Sequence, residues 1–159
     1  MIQLPNENFR IEIADEQSRP FDHQQLVSAV ELILTDYGIQ IAEISIAIVD
    51  DPAIRELNRT YLNHDYETDV ISFLLDYAPD REFLAGQLIV STDTAARVAL
   101  ELGIPLDHEL LLYVVHGTLH LVGLDDTAPE LAQEMRAAEQ EYLTQLGVDY
   151  HWPDAGEST

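Results

Sequence analysis

The sequence predicts an α+β fold, with four strands and five helices layered around one central helix. Three observations carry this. Short runs such as Phe9–Ala14 and Glu43–Val49 alternate apolar and polar residues, the period of a half-buried strand. Longer stretches repeat apolar residues every three or four positions, the period of an amphipathic helix. The two kinds of segment do not alternate strictly along the chain, which sets the fold apart from a regular βαβ array.

The elements follow in order. Phe9, Ile11 and Ile13 face one side of the first strand, with Arg10 and Glu12 on the other. Ser18-Arg19-Pro20 breaks it. Asp22 can cap a helix from His23 to Tyr37, with Leu26, Val27, Val30, Ile33 and Leu34 on one stripe and Gly38 at its end. Ile44, Ile46 and Ile48 line one face of the second strand. Asp50-Asp51-Pro52 is a cap with a first-turn proline, opening a helix to about Tyr61 that presents Ile54 and Leu57. His64–Glu67 reads as a loop, Val70–Leu75 as a short apolar strand, and Tyr77–Phe83 as a polar excursion. Gln87–Ser91 is the fourth strand. Thr92 or Asp93 caps a helix to about Leu102, stopped by Gly103. The helix Pro105–Val122 is apolar on much of its circumference through Leu110, Leu111, Val114, Val115 and Leu119, so it is expected at the buried centre. Thr127-Ala128-Pro129-Glu130 opens the last helix, which runs to about Leu146 and stops at Gly147.

At 159 residues the chain is expected to form a single domain over residues 1–150, with a frayed tail at 151–159. A chain this long buries roughly 68–70% of its unfolded surface, so it needs no staple merely to fold. There is no cysteine, which excludes disulfides and thiolate metal sites and fits a reducing cytoplasm, the expected location. No apolar run approaches the ~20 residues of a membrane span. Met1–Glu7 has neither the basic start nor the apolar core of a signal peptide. The net charge is −23, and every one of the seven basic residues is arginine. That argues against broad, salt-driven phosphate binding, which needs clustered cations. It leaves room for a divalent ion and a few arginines to hold one phosphate in a cleft. Otherwise the acid keeps the protein soluble and repels wrong polyanions.

The stretch that carries chemistry is Val115–Asp126. His116 and His120 are four apart, one turn apart on the same helix face. Gly123 can take the left-handed conformation that ends the helix, and Asp126 follows three residues later. The pattern H-x-x-x-H-x-x-G-x-x-D has the ligand spacing of the metzincin signature. Two histidines on an apolar helix need something to satisfy them, and a metal ion does so. Three protein ligands with a fourth position left for water is the arrangement of a catalytic zinc site. The expected cofactor is therefore one divalent ion, zinc, held by His116, His120 and Asp126. The aspartate also widens the choice toward harder ions such as manganese. Asp125 is the alternative ligand, and Asp126 could instead cap the next helix. Gly117 stands where the metzincin pattern has its glutamate base, so a peptidase would lack that base. No side chain in the motif is an obvious general base; Asp125 or the metal-bound hydroxide itself is the candidate. Met135 falls in a helical pattern and reads as core; His64 and His151 read as exposed.

The run His-Gly-x-Leu-His-Leu-x-Gly-x-Asp resembles the signature of the YbeY family of metal-dependent endoribonucleases. Asp126 stands where that family usually has a third histidine. A second block, Leu57-Asn58-Arg59-Thr60-Tyr61, Asp65 and Thr68-Asp69-Val70-Ile71-Ser72-Phe73, is similar to the family's Leu-Asn-x-x-Tyr … Asp-x-x-Thr-Asp/Asn-Val-Leu-Ser-Phe. Leu62 takes the place of an arginine that many members carry. A third block, Gly86-Gln87-Leu88-Ile89-Val90-Ser91, is similar to Gly-Asp-Ile-x-Ile-Ser, with Gln87 for Asp. The resemblance implies a small mixed sheet packed with helices around the metal helix. It implies a single-strand-specific endoribonuclease acting in 16S rRNA 3′-end maturation and ribosome quality control. Its partners would be an rRNA precursor, ribosomal small-subunit proteins and an assembly GTPase. The Thr68–Phe73 strand would border the site and could contact substrate, and Arg59 could reach a phosphate. Two rival readings are a metal-stabilised assembly factor without catalysis, which suits the acidic surface, and a zinc peptidase lacking its glutamate.

Overall fold

Strand β1 (Phe9–Asp15) leads into helix α1 (His23–Asp36) and strand β2 (Ile41–Val49). Helix α2 (Asp51–Leu62) and strand β3 (Val70–Ala78) follow. Strand β4 (Phe83–Ser91) leads into three consecutive helices, α3 (Thr92–Leu102), α4 (Leu106–Leu121) and α5 (Pro129–Gln145). The computed structural model describes residues 8–62, with side chains up to Arg59, and residues 70–151. The expected loop at His64–Glu67 and the tail beyond His151 lie outside them.

The sheet order is β1-β2-β4-β3. β1 pairs parallel with β2 and β2 with β4, while β3 runs antiparallel to β4 along the edge. The mixed four-stranded sheet with five helices is the architecture expected. Its two faces differ. Ala42, Ile44, Ile46 and Ile48 of β2 join Leu84, Leu88 and Val90 of β4 in the larger core, under α1 and α4. Val49, Ile71 and Ile89 face the other way and pack with Ile54 of α2 in a smaller one.

Helix α4 is central, as its composition predicts. α1, α3 and α5 all pack on it, and it lies across β3 and β4. Every residue from Glu109 to Val115 is buried, and burial is first interrupted at His116 and next at His120. The two histidines thus mark where the buried helix reaches the surface.

Most ends match the expected stops. Asp22 accepts a hydrogen bond from the Gln25 amide at 3.1 Å, and Asp50 accepts from the Ala53 amide at 3.0 Å. α3 differs: its cap is Ser91, whose hydroxyl accepts from the Thr94 amide, while Asp93 ties the Asp51 amide and Arg19. The polar stretch Tyr77–Phe83 also differs. β3 stays paired to Ala78, opposite Phe83, and only Pro79–Arg81 forms a 3-10 turn. Leu74 to Tyr77 are exposed, so the side chains there carry no alternation, yet the backbone ladder continues past a bulge between Leu74 and Asp76. Backbone pairing does not require a buried face.

Candidate metal centre

The centre is built from the last turn of α4 and the reversal after it. Gly123 has φ +109°, a conformation that favours glycine. The Gly123 amide donates to the His120 carbonyl and the Leu124 amide to the Leu119 carbonyl, each at 3.0 Å. These bonds close the helix end in a Schellman-type turn. The chain then doubles back and brings Asp126 beside the two histidines. His116, His120 and Asp126 are brought together as a group that could hold a metal ion. The Nε2 atoms of the histidines are 3.0 Å apart, and their rings stand nearly perpendicular at 80°. One carboxylate oxygen of Asp126 lies 3.7 Å from His116 Nε2, and the other 3.7 Å from His120 Nε2.

These spacings fit one ion. Donors bound at about 2.1 Å can be no more than about 4.2 Å apart, and the two nitrogens, and each nitrogen with its nearer Asp126 oxygen, are within that. The far sides of the rings are also engaged. His116 Nδ1 lies 2.9 Å from Glu139 Oε2, and His120 Nδ1 lies 3.0 Å from the Leu124 carbonyl. Both rings therefore turn Nε2 toward Asp126. The side chains are 24%, 29% and 42% exposed, so the group is open to solvent on one side and backed by the core on the other.

Asp125, the alternative ligand, is outside this group. Its carboxylate accepts from the Asp126 amide at 2.7 Å and from the Thr127 hydroxyl at 3.0 Å. The Asp126 amide and then the Thr127 hydroxyl hold its carboxyl below the usual range. A carboxylate so stabilised in its charged form is a weak base. Asp125 shapes the turn instead. The last helix begins at Pro129 with no side-chain cap, so Asp126 is not spent on capping it.

Gly117 has a packing reason of its own. A Cβ there would meet Leu88 Cδ2 at 2.8 Å, and Ser72 Oγ and Val70 Cγ2 at 3.1 Å. The position faces the sheet, where a glutamate has no space, and the peptidase base is missing for that reason. The same packing sets Val70–Phe73 beside the centre: Ser72 donates from its hydroxyl to the Gly117 carbonyl at 3.4 Å. Arg59 is exposed on α2 and pairs with Glu56. Met135 is core, and His151 is exposed. Leu62, Asp65 and Thr68 fall outside the described side chains.

Glu139 was not anticipated. Its signal is in α5, where Met135, Glu139, Tyr142 and Leu143 share one buried stripe. A glutamate at a position whose neighbours are apolar needs a partner, and here the partner is His116.

A family model described as Endoribonuclease YbeY matches residues 6–147. The chain belongs to the YbeY family. The Endoribonuclease YbeY of Rhodopirellula baltica is 36% identical over 162 residues, covering 94% of this chain and 82% of that protein. That of Salinibacter ruber is 37% identical over 135 residues, covering 81% and 86%. That of Chlorobaculum parvum is 32% identical over 142 residues, covering 89% and 99%. The solution structure of a Thermotoga maritima protein shares the fold, with a TM-score of 0.57 at 22% identity, over 94% of this chain and 99% of that one. The YbeY match spans all five helices and includes the His116–Asp126 turn.

Proposed function

We propose that this YbeY-family chain is a single-strand-specific, metal-dependent endoribonuclease whose ion is held by His116, His120 and Asp126. The observation that carries the reading is the convergence of two imidazole nitrogens 3.0 Å apart with the Asp126 carboxylate, one oxygen of which lies 3.7 Å from His116 Nε2 and the other 3.7 Å from His120 Nε2. Zinc is the ion we assign, since two histidines and one carboxylate are a common catalytic zinc set. An ion bound there supplies polarisation of a phosphoryl oxygen and a water acidic enough to attack near neutral pH.

The chain's own groups do the rest. The helix end fixes the donors, and the buried flank of α4 keeps water from reaching the centre from behind. The solvent-exposed side is where one phosphate of an extended strand would meet the ion, with Val70–Phe73 alongside. Family likeness supports an rRNA precursor as substrate, cut near the 16S 3′ end. It also supports small-subunit proteins and an assembly GTPase as partners, and the cytoplasm as the place. Among the described residues no helix is long and apolar enough to cross a membrane. We assign the activity to one domain over residues 1–150.

The test is zinc binding by competition with a chromophoric chelator. Wild type should take up one equivalent, and His120→Ala and Asp126→Ala should lose most of the affinity. Zinc at 100 times its Kd should stabilise wild type by about 2.7 kcal/mol, roughly 5–11 °C in Tm for a chain of this size. Equal binding by wild type and both variants would overturn the ligand assignment.

A further inference from the structure

Glu139 lies 23 residues from His116 in sequence, on a different helix, and the fold brings its carboxylate against the imidazole. We propose that Glu139 is a positioning residue: its carboxylate orients the His116 ring and strengthens its Nε2 as a metal donor, which makes α5 part of the centre. The inference rests on the ligand reading above and extends it to a residue outside the motif.

Four observations converge. The first is distance: Glu139 Oε2 is 2.9 Å from His116 Nδ1, the length of a charge-assisted hydrogen bond. The second is burial. Glu139 is 6% exposed, and a carboxylate removed from water costs several kcal/mol unless paired. The third is its other oxygen, Oε1, which lies 4.0 Å from the guanidinium Nε of Arg136, so the carboxylate is held from both sides. The fourth is position: Glu139 occupies the middle of the buried stripe of α5, between Met135 and Tyr142, where packing alone would favour an apolar side chain.

The chemistry follows from the acceptor. A carboxylate accepts a hydrogen bond from Nδ1–H, so the ring is fixed as the tautomer with its lone pair on Nε2. That lone pair points toward His120 Nε2 and Asp126. His120 is held in the same sense, but by the neutral carbonyl of Leu124 within its own turn. The two rings therefore differ: His116 is backed by a full charge from another helix, His120 by a local dipole. An ionic acceptor raises the basicity of the ring more than a carbonyl does. His116 is the stronger donor of the pair, and its strength depends on α5 being docked.

The test compares Glu139→Gln with wild type by zinc competition and by proton NMR of the zinc-loaded protein. Glutamine keeps the volume and can still accept, but carries no charge. Glu139→Gln should bind zinc about 10- to 100-fold more weakly. The downfield Nδ1–H signal of His116, assigned by its absence in His116→Ala, should move upfield. Glu139→Asp, which keeps the charge but retracts it, should weaken zinc binding as well; it serves where the glutamine variant fails to fold. Tyr150→Phe is the structural control. It removes a buried hydroxyl that donates to Glu109 at 2.8 Å, at the opposite end of α4 from the histidines. It should lower Tm and leave zinc affinity unchanged. The proposal is overturned if the Glu139 variants bind zinc as wild type does with the ring signal in place. It is equally overturned if Tyr150→Phe weakens zinc as much as they do. Should wild type itself take up no zinc, the three-ligand reading falls first, and the Glu139 role falls with it.

Discussion

At the scale of single residues, the centre was legible where its parts are close in sequence. His116 and His120 share a face because a helix repeats every 3.6 residues, and Gly123 and Asp126 follow within one turn-and-reversal. Spacing favours Asp126 while leaving Asp125 as an alternative, and it does not find Glu139. The first choice depends on the path of the chain after Gly123, which the turn sets. The second depends on how α5 docks, a contact between helices that no local pattern encodes. Gly117 is a case where local rules mislead, since glycine in a helix interior normally weakens it. The sheet explains it: a Cβ would meet the end of the fully buried Leu88 side chain at 2.8 Å, and Ser72 and Val70 at 3.1 Å, so the packing around it would have to shift. Gly117→Ala is therefore expected to destabilise the protein. Overpacking costs roughly 1–3 kcal/mol and outweighs the ~1 kcal/mol that alanine gains in helix propensity. Urea denaturation measures this; a more stable alanine variant would mean the helix does not sit so close to β4.

At the scale of elements, helices were easier to read than strand ends. Apolar periodicity marked α1, α4 and α5 within a residue or two because each buries a stripe. It failed on the outer half of β3, where Leu74 to Tyr77 are all exposed while the backbone ladder to β4 continues. It also misplaced the α3 cap, expected at Thr92 or Asp93 and found at Ser91, because Asp93 looks like a cap yet serves another helix. That region holds a knot of polar groups joining β2, β4, α2 and α3. Asp51 accepts from Ser91 at 2.5 Å, from Thr94 at 2.7 Å and from Arg97 at 3.2 Å. Partial burial works against its charge, but the hydrogen bonds from Ser91, Thr94 and Arg97, with the Arg97 charge, hold its carboxyl below the ordinary aspartate value. A carboxylate whose pKa is lower in the folded state stabilises the fold above its unfolded pKa, about 3.9. That stability is lost as pH falls through the lower, folded value. Asp51→Asn should thus lower Tm at pH 7, and the gap to wild type should narrow as pH drops below about 4. Thermal melts across that range measure it. A gap that stays constant with pH would place the role of Asp51 in shape rather than charge.

At the scale of the whole molecule, the proposed metal would reconcile the charge with the activity. A net charge of −23 repels a polyanion at long range, and seven arginines do not make a basic track. On the proposed reading, binding comes from short-range contacts at one opening, where the partly exposed His116, His120 and Asp126 could hold the ion. α+β class and a central α4 were both readable in advance, since the most apolar helix must be the most surrounded. Sheet order was not, because nothing local says that β4 inserts between β2 and β3. Here the family match and the geometry agree: the centre sits inside the matched span, at the only two breaks in burial between Glu109 and Leu121. The most direct measurement is cleavage of an end-labelled single-stranded RNA by zinc-replete protein, with His120→Ala purified and loaded identically beside it. We expect the wild type to cut and the variant to lose at least two orders of magnitude in rate, about 2.7 kcal/mol of transition-state stabilisation. Equal cutting by both, or by neither, would contradict a nuclease centred on these three residues.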